Sequence, residues 1–117
     1  MSGIDTSRVE LLEHFLDLTA QRQGLVASNI SNIDTPGFRT RDLNFKQEMT
    51  KLIQSPASIP NPMPMEVQGL MERPDGNNVN LDREGLLLAQ TQLQFRMGID
   101  LIKDEFHRIQ TAIEEGK

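Results

Sequence analysis

The sequence predicts an all-α-dominated fold, with long N- and C-terminal helices paired as a coiled coil and an irregular, proline-rich middle segment between them. Three observations carry this. Apolar residues recur at helical spacing from Val9 to Ile33. A heptad runs from Leu81 to Ile113. Five of the six prolines fall within residues 54–78, where they break both patterns. The expected division is a coiled-coil helix over 1–34, a turn and joint segment over 35–53, a flexible proline-rich loop over 54–79 and a heptad helix over 80–117.

Asp5, Thr6 and Ser7 are the candidate caps of the first helix. Its apolar residues, among them Leu11, Phe15, Leu18 and Leu25, fill roughly half the circumference at about 100° per residue. That is wider than a two-stranded seam requires, so this helix is expected to touch more than one neighbour. Arg8 and Arg22 project into the apolar half, where their aliphatic stems can run along it. Gly24 weakens the middle by about 1 kcal/mol relative to Ala.

The helix is expected to stop near Ile33. Asn29 and Asn32, three apart, share one side of its last turns. Thr35-Pro36-Gly37-Phe38 follows. Pro36 lacks an N–H and drives Thr35 out of the α region. Pro-Gly suits the two central positions of a type II turn, with Gly37 supplying the positive φ. The turn is expected to throw Phe38, Leu43 and Phe45 outward, as a joint to a neighbouring molecule. A short helix over 42–53, capped by Asp42, is the reading of the next stretch.

Residues 54–78 cannot build a core of their own. Pro60, Pro62 and Pro64 alternate, which favours extended backbone. Two readings stand: a plain linker, or a loop ordered by a partner through Met63, Met65, Leu70 and Met71. Asp75-Gly76 marks a turn. Asn80 is the candidate cap of the last helix, and Asp82 and Glu84 favour the positive end of its dipole.

In that helix Leu81, Leu88, Phe95, Ile102 and Ile109 are seven apart, interleaved with Ile99, Phe106 and Ile113. The expected seam is therefore Leu88, Phe95, Ile99, Ile102, Phe106, Ile109 and Ile113, facing Leu11, Phe15, Leu18 and Leu25. Gly85 and Gln92 occupy early slots of the interleaved set and weaken it there. Leu86, Leu93, Met97 and Leu101 form a second apolar patch on the far side, which argues for further neighbours. One such seam does not offset the entropy of ordering the chain. The isolated chain is expected to be weakly ordered, with assembly supplying the missing burial.

Composition narrows the function classes. The 117 residues allow one domain and only 37% are hydrophobic, with five Phe and neither Trp nor Tyr. A net charge of −5 argues against nucleic acid or an anionic membrane as partner. There is no cysteine. The N-terminal residues lack the apolar stretch of a signal peptide, and no run approaches the roughly 20 apolar residues of a membrane span. No catalytic or metal-binding constellation is present. His14 beside Glu10 and Glu13 reads as a solvated helix face, as do the Glu13/Asp17 and Asp100/Asp104 pairs. No cofactor is expected.

The run Asn29-x-x-Asn32-x-x-Thr35-Pro36-Gly37-Phe38, followed by Asp42 and Phe45, resembles the N-terminal signature of the bacterial flagellar rod and hook axial proteins. The block Asp75–Glu84 is similar to the segment that introduces the last helix in the FlgB family of proximal rod proteins. Ala89, Leu93 and Phe95 resemble that family's Ala-x-x-x-Leu-x-Tyr pattern, with Phe95 in the aromatic place. Phe38 stands where Tyr is frequent, and Gln92 departs from the seam.

The resemblance implies a non-enzymatic structural subunit of the proximal rod, packed helically and transmitting torque. Its partners would be other copies of itself, other rod proteins, and membrane-ring and rod-adaptor components. It would leave the cell through the flagellar type III export apparatus, without a cleavable signal peptide, and reside in the periplasm-spanning rod of the basal body. The turn residues Asn29, Asn32, Thr35, Pro36, Gly37, Phe38, Asp42 and Phe45 would form the inter-subunit joint. The alternative is a coiled-coil binding module, such as a flagellar export chaperone or regulator, gripping one partner with the heptad helix.

Overall fold

The computed structural model describes residues 5–116; residues 1–4 and 117, which belong to the two expected terminal helices, lie outside the described residues. The chain forms α1 (Ser7–Ser31), β1 (Arg41–Asp42), α2 (Phe45–Gln54), β2 (Met65–Glu66) and α3 (Leu81–Glu115). The body is elongated, 68 × 22 × 16 Å. At about 1.5 Å per residue the 35 residues of α3 span about 50 Å of that length.

The capping chemistry fixes most element ends. The Asn80 side chain accepts from the Arg83 amide at 3.0 Å and starts α3. The Asp5 carboxylate accepts from the Ser7 amide at 2.9 Å at the start of α1, while Thr6 makes no side-chain cap bond. The cap of α2 is Asn44, accepting from the Gln47 amide at 3.1 Å, not Asp42. Asp42 is withdrawn into β1, whose two residues pair antiparallel with β2, Arg41 opposite Glu66 and Asp42 opposite Met65. This ribbon was not foreseen: two residues are too few for an alternation to register.

α1 and α3 pack along one another in antiparallel sense. Asn29 meets Glu84, Phe15 and Leu16 meet Gly98, and Arg8 meets Glu105. On α3 the facing column is therefore Glu84, Thr91, Gly98 and Glu105, four residues seven apart, none of them a large apolar side chain. Glu84 and Thr91 are fully buried. Gly98 is the point of closest approach: a Cβ there would lie 2.6 Å from Leu16 Cδ2 and 3.1 Å from Phe15 Cδ2. The buried hydroxyls are bonded within their own helices, Thr19 to the Phe15 carbonyl and Thr91 to the Leu88 carbonyl.

This corrects the expected seam. Leu88, Phe95, Ile99, Ile102 and Ile109 flank the contact and are half-buried, whereas Phe106 and Ile113 remain 53% and 52% exposed. The hydrophobic heptad is rotated off the line that faces α1, because small and polar side chains at that line let the backbones approach. On α1 the correction is complementary. Leu18, with Leu11 and Leu25 beside it, packs on Leu43 and Leu52, with Phe45 and Met49, and so faces α2. Of the four expected α1 seam residues, Phe15 packs against α3 at Gly98. The half-circumference apolar face thus serves two neighbours.

The second correction concerns direction. The turn at Pro36-Gly37 does not throw Leu43 and Phe45 outward. It returns the chain along α1, burying Leu43 to 5% exposure and setting the Phe45 ring edge-on to Phe15 at 6.0 Å. Phe38 is half-buried.

Candidate assembly site at the helix junction

Three short polar stretches converge where α1 ends and α3 begins: residues 29–37, 38–42 and 73–84. Each backbone polar group exposed by the end of a helix needs a partner. At the end of α1 the partners come from the third stretch. The buried Asn77 amide donates to the carbonyls of Asn32, Ile33 and Thr35 at 3.0, 3.1 and 2.9 Å. Arg73 donates to the Ile33 carbonyl as well, placing a cation at the negative end of the helix dipole. The Asn77 side-chain oxygen accepts from the Val79 amide at 2.8 Å, and its own amide donates to Asp75 at 2.9 Å.

The turn itself has type II character. The Phe38 amide donates to the Thr35 carbonyl at 3.2 Å, and Gly37 takes φ +75°. Asn32 steadies it, its side-chain oxygen accepting from the Thr35 hydroxyl at 3.0 Å and its amide donating to Ser28 at 2.8 Å. Gly76 has φ +88°, and a Cβ there would sit 3.4 Å from the Gly37 Cα. The two glycine turns stack backbone on backbone, and the positive φ at each disfavours any other residue there. Thr35, Pro36 and Gly37 face solvent.

Asn29 is placed differently. It is buried, and its amide takes the position of a missing strand against β1: the side-chain oxygen accepts from the Arg41 amide at 3.2 Å, and the nitrogen donates to the Arg41 carbonyl at 2.9 Å. The same nitrogen donates to Glu84 at 2.6 Å. Asn78 makes half of such a pairing with Thr40: its side-chain oxygen accepts from the Thr40 amide at 2.7 Å, while the Thr40 carbonyl accepts from the Val67 amide at 2.9 Å.

A charge network completes the junction. Arg22 grips Asp42 with two parallel bonds at 3.0 Å. Arg83 donates to Asp42 at 2.7 Å and to Glu84 at 2.6 Å. Two guanidiniums thus meet two carboxylates, and the quartet is neutral. Burial pushes the Asp42 carboxyl upward, but the Arg22 hydrogen bonds and charge, the Leu43 amide and Arg83 outweigh it and hold the carboxyl below its ordinary range. The Arg22 guanidinium also lies 5.5 Å from the Phe45 ring centroid.

Of the residues singled out from the sequence, the junction brings together Asn29, Asn32, Thr35, Pro36, Gly37, Phe38 and Asp42, with Phe45 at its edge. Sequence reasoning missed Arg22, Arg73, Asn77, Asn78, Arg83 and Glu84 as their partners. One signal was available: Arg22 sits in the apolar half of α1, which calls for a buried counter-charge. The spacing does not say which carboxylate that is. Among the described residues no three His, Cys, Asp or Glu side chains gather where they could hold a metal, and no helix is long and apolar enough to cross a membrane.

A family model described as flagella basal body rod protein matches residues 16–39, the second half of α1 and the turn that closes it. The class this indicates is that of the flagellar rod proteins. Over most of its length the chain is similar to the flagellar basal body rod protein FlgB of Escherichia coli strain K12, with 31% identity over 122 residues, 86% of this chain and 88% of the relative. It is 29% identical to FlgB of Salmonella typhimurium over 86% of this chain and 88% of the relative. With FlgB of Borrelia hermsii the identity is 26% over 91% of this chain and 95% of the relative. The chain belongs to the FlgB family of flagellar basal body rod proteins.

Proposed function

We propose that this chain is a structural subunit of the proximal rod of the bacterial flagellar basal body, packing helically with copies of itself and with other rod proteins to carry torque. The observation that supports it most is the correspondence between family and junction: the matched residues 16–39 end at the turn held by Asn77, Arg73 and Asn29. A subunit that carries torque needs its two helices fixed in register, and a neutral, buried charge quartet with directional bonds provides that. Leu86, Leu93, Met97 and Leu101 on α3 are 50–70% exposed, an apolar face that suits packing against neighbours.

In this reading α1 and α3 pair as a coiled coil lining the rod, and membrane-ring and rod-adaptor components are its neighbours at the base. Export runs through the flagellar type III apparatus. The turn residues Asn29, Asn32, Thr35, Pro36, Gly37, Phe38, Asp42 and Phe45 act within the subunit as the frame from which its outer surfaces are set. The test is a strain lacking the gene. Its basal bodies should retain the membrane ring and carry no rod beyond it, and the intact gene should restore both rod and swimming. A complete rod in the deletion strain overturns the proposal.

A further inference from the structure

The two ends of the body are chemically unlike and point away from each other. Beside the junction an open cleft of about 560 Å³ lies over Arg22, Asp42 and Arg83, with Phe45, Met65 and Val67 on its apolar walls, Lys46 at its lip and Glu66, paired with Arg39, also on its lining. That is within the range of roughly 300–1,000 Å³ usual for binding clefts. Lys46 is exposed and makes no ion pair among the described residues. The surrounding segment, residues 39–51, has four basic and two acidic side chains, net +2.

At the opposite end α3 continues past Glu105, the residue that meets Arg8 near the start of α1. Residues 100–116 carry five acidic and two basic side chains, net −3 with His107 neutral. Phe106 and Ile113 are half exposed there, with Glu114 and Glu115 beside Ile113. The tail therefore offers apolar groups flanked by carboxylates, and the cleft offers apolar walls flanked by a free ammonium. Gln90 on the cleft wall and Ile113 in the tail are 23 residues apart on the same helix, about 35 Å at about 1.5 Å per residue, so no chain can satisfy its own cleft with its own tail.

We propose that the cleft receives the last turns of α3 from a second copy of this chain, with Ile113 against Phe45 and Met65 and the Glu114 and Glu115 carboxylates at Lys46. Such a contact joins unlike surfaces. It does not close on itself as a two-fold dimer does, and it repeats head to tail into an open, growing array. This rests on the rod reading above and names one of its contacts. Because the complementary charges sit at an exposed rim, they set association rate and salt dependence more than final affinity.

The chain has no cysteine, so disulfide trapping is specific. Lys46→Cys and Glu114→Cys are each prepared as the full chain, mixed at high concentration and oxidised. Asp17→Cys, on the exposed middle of α1, replaces Lys46→Cys in the control mixture. The expected result is a mixed disulfide dimer several-fold above the control. In a separate cysteine-free set, assembly measured by sedimentation falls with Lys46→Glu or Glu114→Lys alone and recovers when both changes are combined. A mixed-dimer yield no greater than the control overturns the contact, as does a charge-swapped pair no better than the single changes. Either failure leaves the rod reading standing if the deletion strain still lacks a rod; a rod in that strain removes the wider reading instead.

Discussion

The two ends of the α1–α3 pair are held by different physics. At the junction, Asn29, Arg22, Asp42, Arg83 and Glu84 form a continuous chain of directional bonds between 2.6 and 3.2 Å, mostly out of water. At the far end, among the described residues, one ion pair at 3.9 Å, with the Arg8 side chain 63% exposed, links the helices. Exposed pairs of this kind contribute little. The junction specifies a single geometry. The far end leaves apolar surface for others. The same two helices thus combine an end fixed by directional bonds and an end that leaves Phe106 and Ile113 half exposed.

The strongest way to break this contrast is Asp42→Ala. It leaves two guanidiniums facing each other without their shared counter-ion, and the loss of one partner from a buried ionic cluster costs about 3–5 kcal/mol. A urea titration followed by far-UV circular dichroism should lose most of its cooperative transition. The pH dependence sharpens the point. The folded-state pKa of Asp42 is depressed, so its stabilisation is present above the unfolded value of about 3.9 and is lost as pH falls through the folded value. Asp42→Asn should therefore differ from the parent at neutral pH and converge with it in acid.

Next in size is Asn77→Ala, which removes one donor from each of three carbonyls at the end of α1 and leaves the buried Val79 amide without its acceptor. An unpaired buried donor costs about 1–3 kcal/mol, and hydrogen exchange should rise in residues 28–35 before it rises elsewhere. Gly98→Leu tests the stem between the two ends. It forces bulk into the closest approach at Leu16 and Phe15, and overpacking costs about 1–3 kcal/mol, partly offset by about 1 kcal/mol of helix propensity. The smallest effect on stability is expected at the far end. Phe106→Asp should change the unfolding free energy by no more than about 0.5 kcal/mol, yet abolish swimming in motility agar. Normal swimming by that variant would show that the exposed end is idle surface.

How far the sequence could be read differs between the same two regions. Both long helices, the Asn80 cap and the Pro36-Gly37 turn were legible, because each depends on residues close in the chain. The helix partners were not. Leu11, Leu18 and Leu25 are seven apart and suit a seam with α3, but they serve α2; periodicity shows which face is apolar and not which neighbour covers it. The true facing column on α3 holds Glu84, Thr91, Gly98 and Glu105, and a search for hydrophobic heptads passes over it. The junction was half legible. Its Asn and Thr-Pro-Gly residues stand out, while Asn77, Arg83 and Glu84 lie 41 to 55 positions from the residues they hold, and Arg22 lies 20 from Asp42. Nothing local selects Asn77 or Arg83 over other polar residues.

The bonds from Asn77 to residues 32, 33 and 35 also bear on timing. A chain delivered N-terminus first, from a ribosome or through any narrow passage, emerges with its first helix before the residue that finishes that helix. Until residue 77 is out, the last carbonyls of α1 lack the side-chain donor that joins them to the third stretch. The end of α1 is thus closed by a residue about two thirds of the way along the chain, so the junction can set only after most of the subunit has arrived.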